Sequence, residues 1–144
     1  MKKLPPIEKV YEAWTAIADR RVEMKEGEAV VKSSDGTKSY TVRFSGDQYS
    51  SDDNATFWQG YTGYPVIAVL MLQGRLPLDK DEIKQWGGIN WTELNKKHRN
   101  KYASAVEEIE NERHINPLKA SAAAEQVMTR LASLPLEIKR KITP

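Results

Sequence analysis

The segment between residues 57 and 65 holds the residue types best suited to binding a ligand. Two glycines precede a predicted helix start, where free backbone N–H groups can face an anion. A threonine hydroxyl could join these donors, and the neighbouring aromatic rings could stack on a flat ligand. The predicted ligand-binding residues are Trp58, Gln59, Gly60, Tyr61, Thr62, Gly63 and Tyr64, with Arg43 and Arg75 as charge partners. The alternative is structural: the glycines permit a sharp turn and the aromatic residues fill the core.

Residue types that commonly catalyse reactions are scarce in the 144-residue chain. It has no cysteine, which excludes disulfides, thiolate zinc sites and a cysteine nucleophile. The only histidines are His98, on the apolar face of a predicted helix, and His114, at a helix end. Both are interpreted as structural, because their spacing matches no metal motif. The sequence therefore predicts no metal, no cofactor and no identifiable catalytic residue.

An acidic loop precedes the aromatic segment, with Asp47, Asp52, Asp53 and Asn54 close together. Oxygen ligands of this kind suit Ca²⁺ or Mg²⁺, but the loop lacks the central glycine and closing glutamate of a calcium loop. We interpret it as a solvated loop. One of its aspartates would hold a metal only if the protein were an enzyme.

The predicted helix over residues 90–112 has an unusual charge distribution. Its first half carries a possible basic patch made of Lys96, Lys97, Arg99 and Lys101, and its second half is acidic. Because acidic residues at a helix C-terminus oppose the dipole, a basic neighbour is expected, and residues 139–141 are the candidate. The alternative is that the patch and the tail bind phosphates of nucleic acid. The formal net charge of +2 makes nucleic-acid binding unlikely.

Apolar periodicity and turn residues define the elements. An amphipathic helix is predicted over residues 6–20, with Glu8, Lys9 and Glu12 outside its apolar stripe, and we expect it to lie on a sheet. Strands are predicted over residues 21–25, 28–33 and 39–45, with a possible fourth over 55–60 and a loop over 46–54. Pro65 and Gly74 favour a buried helix between them, with a central strand as the competing interpretation. Further helices are predicted over residues 79–85, 90–112 and 117–134.

This order of elements predicts the α+β class: a small antiparallel sheet of three or four strands, preceded by one helix and followed by three or four helices packed mainly on one face. We expect a single domain over residues 1–144. The last helix, over about 117–134, is rich in small residues and is a possible packing or dimerisation appendage that would make a homodimer. No apolar run is long enough to span a membrane, and the N-terminus does not resemble a signal peptide, so a cytoplasmic location is expected.

The sequence thus leaves three functional hypotheses. The leading one is a non-enzymatic binding or interaction module with a small-molecule or protein partner, because catalytic residue types are few. The second is an enzyme acting on a phosphorylated or nucleotide-like small molecule, which predicts a carboxyl group with a perturbed pKa in a cleft. The third is a weak nucleic-acid-binding protein that uses the basic patch.

Overall fold

The computed structural model describes residues 3–142 and confirms the α+β class. Residues 1, 2, 143 and 144, which the predicted domain includes, lie outside the described residues, and the single domain stays a prediction. The elements in chain order are α1 (Glu8–Ala18), β1 (Val22–Lys25), β2 (Glu28–Lys32), β3 (Ser39–Ser45), β4 (Gln48–Ser51), α2 (Asn54–Gln59), α3 (Tyr64–Leu72), α4 (Lys80–Lys84), α5 (Trp91–Lys97), α6 (Tyr102–Arg113), α7 (Pro117–Ser133) and β5 (Glu137–Ile138).

The sheet has five strands in the order β1-β2-β3-β4-β5. The first three pairs are antiparallel, as predicted, whereas β5 joins β4 in parallel and makes the sheet mixed. The β2–β3 hairpin turns at the predicted position: Asp35 accepts the backbone N–H of Thr37 at 3.0 Å, and Gly36 has a φ of +76°. The Asp-Gly signal was therefore sufficient to place this turn.

The predicted fourth strand over residues 55–60 is wrong, because this segment forms helix α2. Asp53 caps the helix by accepting the backbone N–H of Thr56 at 3.0 Å. The fourth strand is β4, within the stretch predicted to be a loop. Its sequence is polar, and its pairing with β3, including Phe44 opposite Tyr49, places it in the sheet.

Helix α3 confirms the buried helix predicted in place of a central strand, and residues 65–71 are all buried. It contacts strands β1, β3 and β4, whereas α1 packs mainly against α3, α4, α6 and α7. The expectation that α1 lies directly on the sheet is therefore corrected. Since helices surround α1, its burial extends around the helix and includes Glu12, which the sequence placed outside the apolar stripe.

The single long helix predicted over residues 90–112 is wrong, because the chain breaks into α5 and α6. Arg99 and Asn100 have φ values of +53° and +63°. The N–H of Asn100 donates to the carbonyl of Asn95 at 2.7 Å, and that of Arg99 to Lys96 at 3.1 Å. This pair of bonds is the Schellman motif, which ends a helix without glycine when the following residues accept left-handed backbone.

The break brings the basic end of α5 against the acidic helix α6. Lys97 Nζ lies 2.7 Å from Glu108 Oε1, and His98 Nε2 lies 3.0 Å from the same oxygen. The sequence predicted that tail residues 139–141 would neutralise the acidic helix, but within residues 3–142 none of them forms an ion pair with α6. Lys139 pairs with Glu137, and Arg140 lies over the rings of α2. His98 is thus a hydrogen-bonded residue between two helices.

Helix α7 packs against α1 through a face that includes Ala120, Ala124, Val127 and Leu131. Two of the small residues considered for dimerisation are therefore buried within the chain itself. Leu118, at the start of the same helix, is 82% exposed. Within residues 3–142, none of the helices has the length and apolar character needed to cross a membrane.

Candidate functional site

The turn from α2 into α3 is held together by its own side chains. The backbone N–H of Gly63 donates to Thr56 Oγ1 at 2.9 Å. A Cβ on Gly63 would lie 3.0 Å from the same oxygen and still closer to the carboxylate of Asp53, so only glycine fits here. An anion at this helix start would find that N–H already engaged and a carboxylate beside it. The geometry favours the structural interpretation of Gly63.

The other residues of the predicted segment separate into different environments. Gly60 ends α2 with a φ of +74°, as a left-handed cap. Thr62 is buried, and its hydroxyl has no hydrogen-bond partner among residues 3–142. Gln59 Oε1 accepts from Lys3 at 3.3 Å, and Lys3 also lies 5.4 Å from the ring centroid of Tyr61. Trp58 is 65% exposed, which is unusual for a tryptophan placed to fill a core.

Three of the predicted residues line one end of a surface cleft. Trp58, Gln59 and Tyr61 surround a cavity of about 470 Å³, whose other lining residues are Lys9, Asn54, Ala55 and Tyr102. Lys9 Nζ lies 4.8 Å from the centroid of the Tyr102 ring, within cation–π distance. The cavity therefore combines aromatic faces with one cation.

A second cavity of about 310 Å³ continues from the first. The two share Lys9, Asn54, Ala55 and Tyr102, and we call the combined space the α1–α2 cleft. Its inner end is polar, and Tyr64 is the one residue of the predicted segment that reaches it. The main polar groups there are Glu12, Tyr40, Asp53, Tyr64 and Asn95.

A buried ion pair lies at the inner end of the cleft. Lys9 Nζ and Glu12 Oε2 are 3.5 Å apart, and Glu12 is only 7% exposed. Burial raises the pKa of the Glu12 carboxyl, and the attraction of Lys9 only partly offsets this effect. Burial by itself would lower the pKa of Lys9, but the nearby Glu12 and tyrosines outweigh it and raise that pKa. Asn95 adds a hydrogen bond to the carboxyl group.

Two tyrosines complete the polar end. The rings of Tyr40 and Tyr64 lie 6.3 Å apart at 90°. Burial raises the pKa of both phenols, so both hydroxyls keep their protons at neutral pH and can donate as well as accept. The inner end of the cleft is thus lined by the ammonium of Lys9, the carboxyl of Glu12, the phenols of Tyr40 and Tyr64, and the amide of Asn95.

Most of these polar residues were missed by the sequence analysis. Lys9 and Glu12 were placed on the solvated face of α1, and no sequence signal marked Tyr40, Asn95 or Tyr102. Their convergence depends on the α5–α6 break and on the packing of α1 among helices, which apolar periodicity does not reveal. The spacing of Lys9 and Glu12, three residues apart on one helix, was the available hint.

The acidic loop is engaged in structural contacts. Asp47 Oδ1 lies 2.6 Å from Arg75 Nη2, Asp52 accepts the N–H of Thr41 at 2.8 Å, and Asp53 caps α2. Arg75 also donates to the hydroxyl of Tyr49 at 3.1 Å. Across residues 3–142, no group of three or more His, Asp or Glu side chains is placed to hold a metal ion. Arg75 therefore ties loops together and does not line the cleft.

The basic patch is partly neutralised by its neighbours. Lys97 is paired with Glu108, and a shallow cavity beside it is lined by Glu93, Glu108 and Glu112. Lys96, Arg99 and Lys101 are exposed around the helix break. Arg43 lies elsewhere, on the solvent side of β3, in a pocket formed with the C-terminal tail.

Comparisons with known proteins give one positive finding. Searches of curated proteins and of solved structures found no match. A family model described as "Uncharacterised conserved protein UCP014422" matches residues 2–137. Because this match spans most of the sequence, the chain belongs to that family.

Proposed function

We propose that this protein is a binding module whose ligand is a small, planar, polar molecule held in the α1–α2 cleft. The observation that carries the proposal is the ion pair between Lys9 and Glu12. Its charged atoms lie 3.5 Å apart at the inner end of an aromatic-lined cleft. Desolvating two charges generally costs as much as their attraction returns, so stability alone gives little reason to keep such a pair. Perturbed ionisable groups inside a cleft are typical of functional sites.

The chemistry of the cleft favours a heterocycle over an anion. The inner end contains the cation of Lys9, but also the carboxyl groups of Glu12 and Asp53. Asn95 and the two tyrosines can each donate and accept hydrogen bonds, as the edge of a nucleobase requires. The outer end presents Trp58 and Tyr61, and such rings stack on bases of any sequence. A free nucleobase or nucleoside matches both ends.

The test is calorimetric titration of the protein with adenine, guanine, cytosine, uracil and their nucleosides. Trp58→Ala and Asn95→Leu should each weaken binding by about 1–2 kcal/mol, which is roughly tenfold, through loss of stacking or of hydrogen bonds. Because Trp58 is 65% exposed, its variant should stay folded. Leu118→Ala, which truncates an exposed apolar side chain outside the cleft, is the matched control and should bind normally.

If none of these compounds binds, or if both cleft variants bind like the native chain, the proposal fails. Unfolding of Trp58→Ala would show that Trp58 supports the core and would remove the outer end from the site. A protein partner would then be the remaining form of the binding hypothesis.

The raised pKa of Glu12 favours a second candidate function, an enzyme acting on a nucleotide-like or phosphorylated small molecule. A carboxyl group whose pKa is raised by burial is better suited to act as a general acid than an ordinary glutamate. Incubation with nucleosides, nucleotides and sugar phosphates, followed by NMR, would reveal turnover. Glu12→Gln should abolish that turnover while leaving ligand binding measurable, and turnover that survives this substitution would contradict the assignment.

The remaining sequence-based hypotheses stay proposals of lesser weight. Nucleic-acid binding through Lys96, Lys97, Arg99 and Lys101 is disfavoured by the engagement of Lys97 with Glu108 at 2.7 Å. A homodimer through α7 is supported by Leu118, which is 82% exposed, and light scattering of the native chain and Leu118→Lys would test it. A cytoplasmic location remains a prediction.

A further inference from the structure

A separate pocket, of about 320 Å³, lies where α2 meets the sheet and the C-terminal tail. It is formed by strands β3 and β4, the side chain of Phe57 and the C-terminal tail, and we call it the Arg43 pocket. Its lining residues are Thr41, Arg43, Ser50, Ser51, Asp52, Phe57, Arg140, Lys141 and Ile142. It shares no lining residue with either cavity of the α1–α2 cleft.

The pocket gathers three cations that form no ion pair with the described residues. Arg43, Arg140 and Lys141 all line it, and none of the three forms an ion pair within residues 3–142. Among the described residues that line the pocket, the single carboxylate is Asp52, which accepts the backbone N–H of Thr41 at 2.8 Å. Three like charges around one volume repel one another, and an anion between them would relieve that repulsion.

The fold holds Arg140 in place. The backbone N–H of Lys139 donates to the carbonyl of Tyr49 at 2.8 Å and fixes the tail beside β4. Arg140 follows directly, and its guanidinium carbon lies 5.4 Å from the Phe57 ring centroid and 5.7 Å from that of Trp58. Stacking on aromatic faces restrains an arginine while leaving its N–H groups free to bind. The site is therefore partly organised before any ligand arrives.

We propose that the Arg43 pocket binds the dianionic phosphate group of a small phosphate monoester. Arginines bind phosphate oxygens with paired N–H donors, and lysine adds a point charge. The hydroxyl groups of Thr41 and Ser50 supply further donors at the same wall. Phe57 offers an apolar face to the organic part of the ester. This site shares no lining residue with the α1–α2 cleft, and the proposal does not rest on the cleft's function.

The experiment is an NMR titration of the ¹⁵N-labelled native chain with inorganic phosphate, phenyl phosphate and dimethyl phosphate. It is run at constant ionic strength and at about pH 8, where a monoester carries close to two negative charges. Saturable shifts are expected at amides of residues 41–52 and 140–142. Phenyl phosphate should bind at least as tightly as inorganic phosphate, and the monoanionic diester should bind about tenfold more weakly.

Arg43→Gln and Lys141→Gln should each weaken phosphate binding by about tenfold. Lys119→Gln, on an exposed position of α7, removes the same charge at a distance and should leave binding unchanged. If Arg43→Gln were to disturb β3, Lys141→Gln in the tail tests the same claim. Shifts that fail to saturate, a diester that binds as well as the monoester, or unchanged affinity in both variants would each overturn the proposal. Nucleobase binding in the cleft should be unaffected by either variant, which separates the two proposals.

Discussion

Glu12 shows how strongly a single residue depends on its surroundings in this protein. On an isolated helix it would be a solvated glutamate three residues from Lys9. Its ion pair with Lys9 would then stabilise the helix by a few tenths of a kcal/mol. In the fold it is 7% exposed and contacts Lys9 at 3.5 Å inside a cleft. The same side chain therefore changes from a surface group into a buried carboxyl whose pKa is raised.

The pH dependence of stability should report this change. Because the pKa of Glu12 is raised above 4.5, the folded chain retains a proton that the unfolded chain has released. The contribution of Glu12 is thus fully present below about pH 4.5 and is lost as the pH rises toward the folded-state pKa. Relative to Glu12→Gln, the native free energy of unfolding should fall by about 1.4 kcal/mol for each pH unit between the two pKa values.

Urea unfolding of both chains between about pH 4 and pH 8 measures this difference, starting near the ordinary pKa of glutamate and extending above it. Glu23→Gln, at an exposed position on β1, is the matched control and should track the native chain. A constant difference between native and Glu12→Gln across the range would show that Glu12 titrates normally.

At the scale of elements, the short segment between α5 and α6 decides where the site lies. It reverses the chain through left-handed backbone at Arg99 and Asn100. Only then can α6 fold back so that Glu108 meets Lys97 and His98, while Tyr102 reaches Lys9. A continuous helix would carry Tyr102 away from α1 and leave the cleft without one wall.

Arg99→Gly should stabilise the protein by about 1 kcal/mol, because glycine adopts positive φ without the Cβ penalty that arginine bears at +53°. Lys96→Gly, inside α5, introduces the same residue at a helical position and should destabilise by a similar amount. Thermal and chemical unfolding measure both. Equal destabilisation by the two substitutions would mean that residues 98–101 do not adopt the left-handed turn in solution.

At the scale of the whole molecule, Arg75 adds hydrogen bonds between the helical layer and the sheet, beside the packing of α3 on the strands. This residue follows α3 and donates to the hydroxyl of Tyr49, to the carbonyl of Gly46 and to Asp47 in the β3–β4 turn. Tyr49 in turn donates to Gln73 at 2.6 Å. The arginine predicted to bind an anion thus joins two layers of the fold.

Arg75→Leu should lower the free energy of unfolding by about 1 kcal/mol, mainly through the lost hydrogen bond to the hydroxyl of the buried Tyr49. The exposed pair with Asp47 should add little. Arg130→Leu, an exposed arginine on α7, is the control for loss of charge. Phosphate binding by Arg75→Leu should equal that of the native chain. A loss of phosphate binding in this variant would show that Arg75 binds the anion, as the sequence predicted.

Several elements were predictable because their signals are local. Pro65 and Gly74 bracket the buried helix α3, the Asp-Gly turn places the β2–β3 hairpin, and Asn116 with Pro117 starts α7. Each depends on backbone geometry that one to three residues control. Strands β4 and β5 carry no such signal, because their polar residues are held by pairing with distant parts of the chain.

The sequence by itself determined the α+β class, the first three strands, the buried helix and the poverty of catalytic residue types. The tertiary structure alone decided which side chains meet. It buried Glu12 beside Lys9, separated Arg43 from Arg75, and brought Arg140 onto the rings of Phe57 and Trp58. The physical reason is that periodicity and capping are properties of neighbouring residues, whereas a site depends on contacts between residues far apart in the chain.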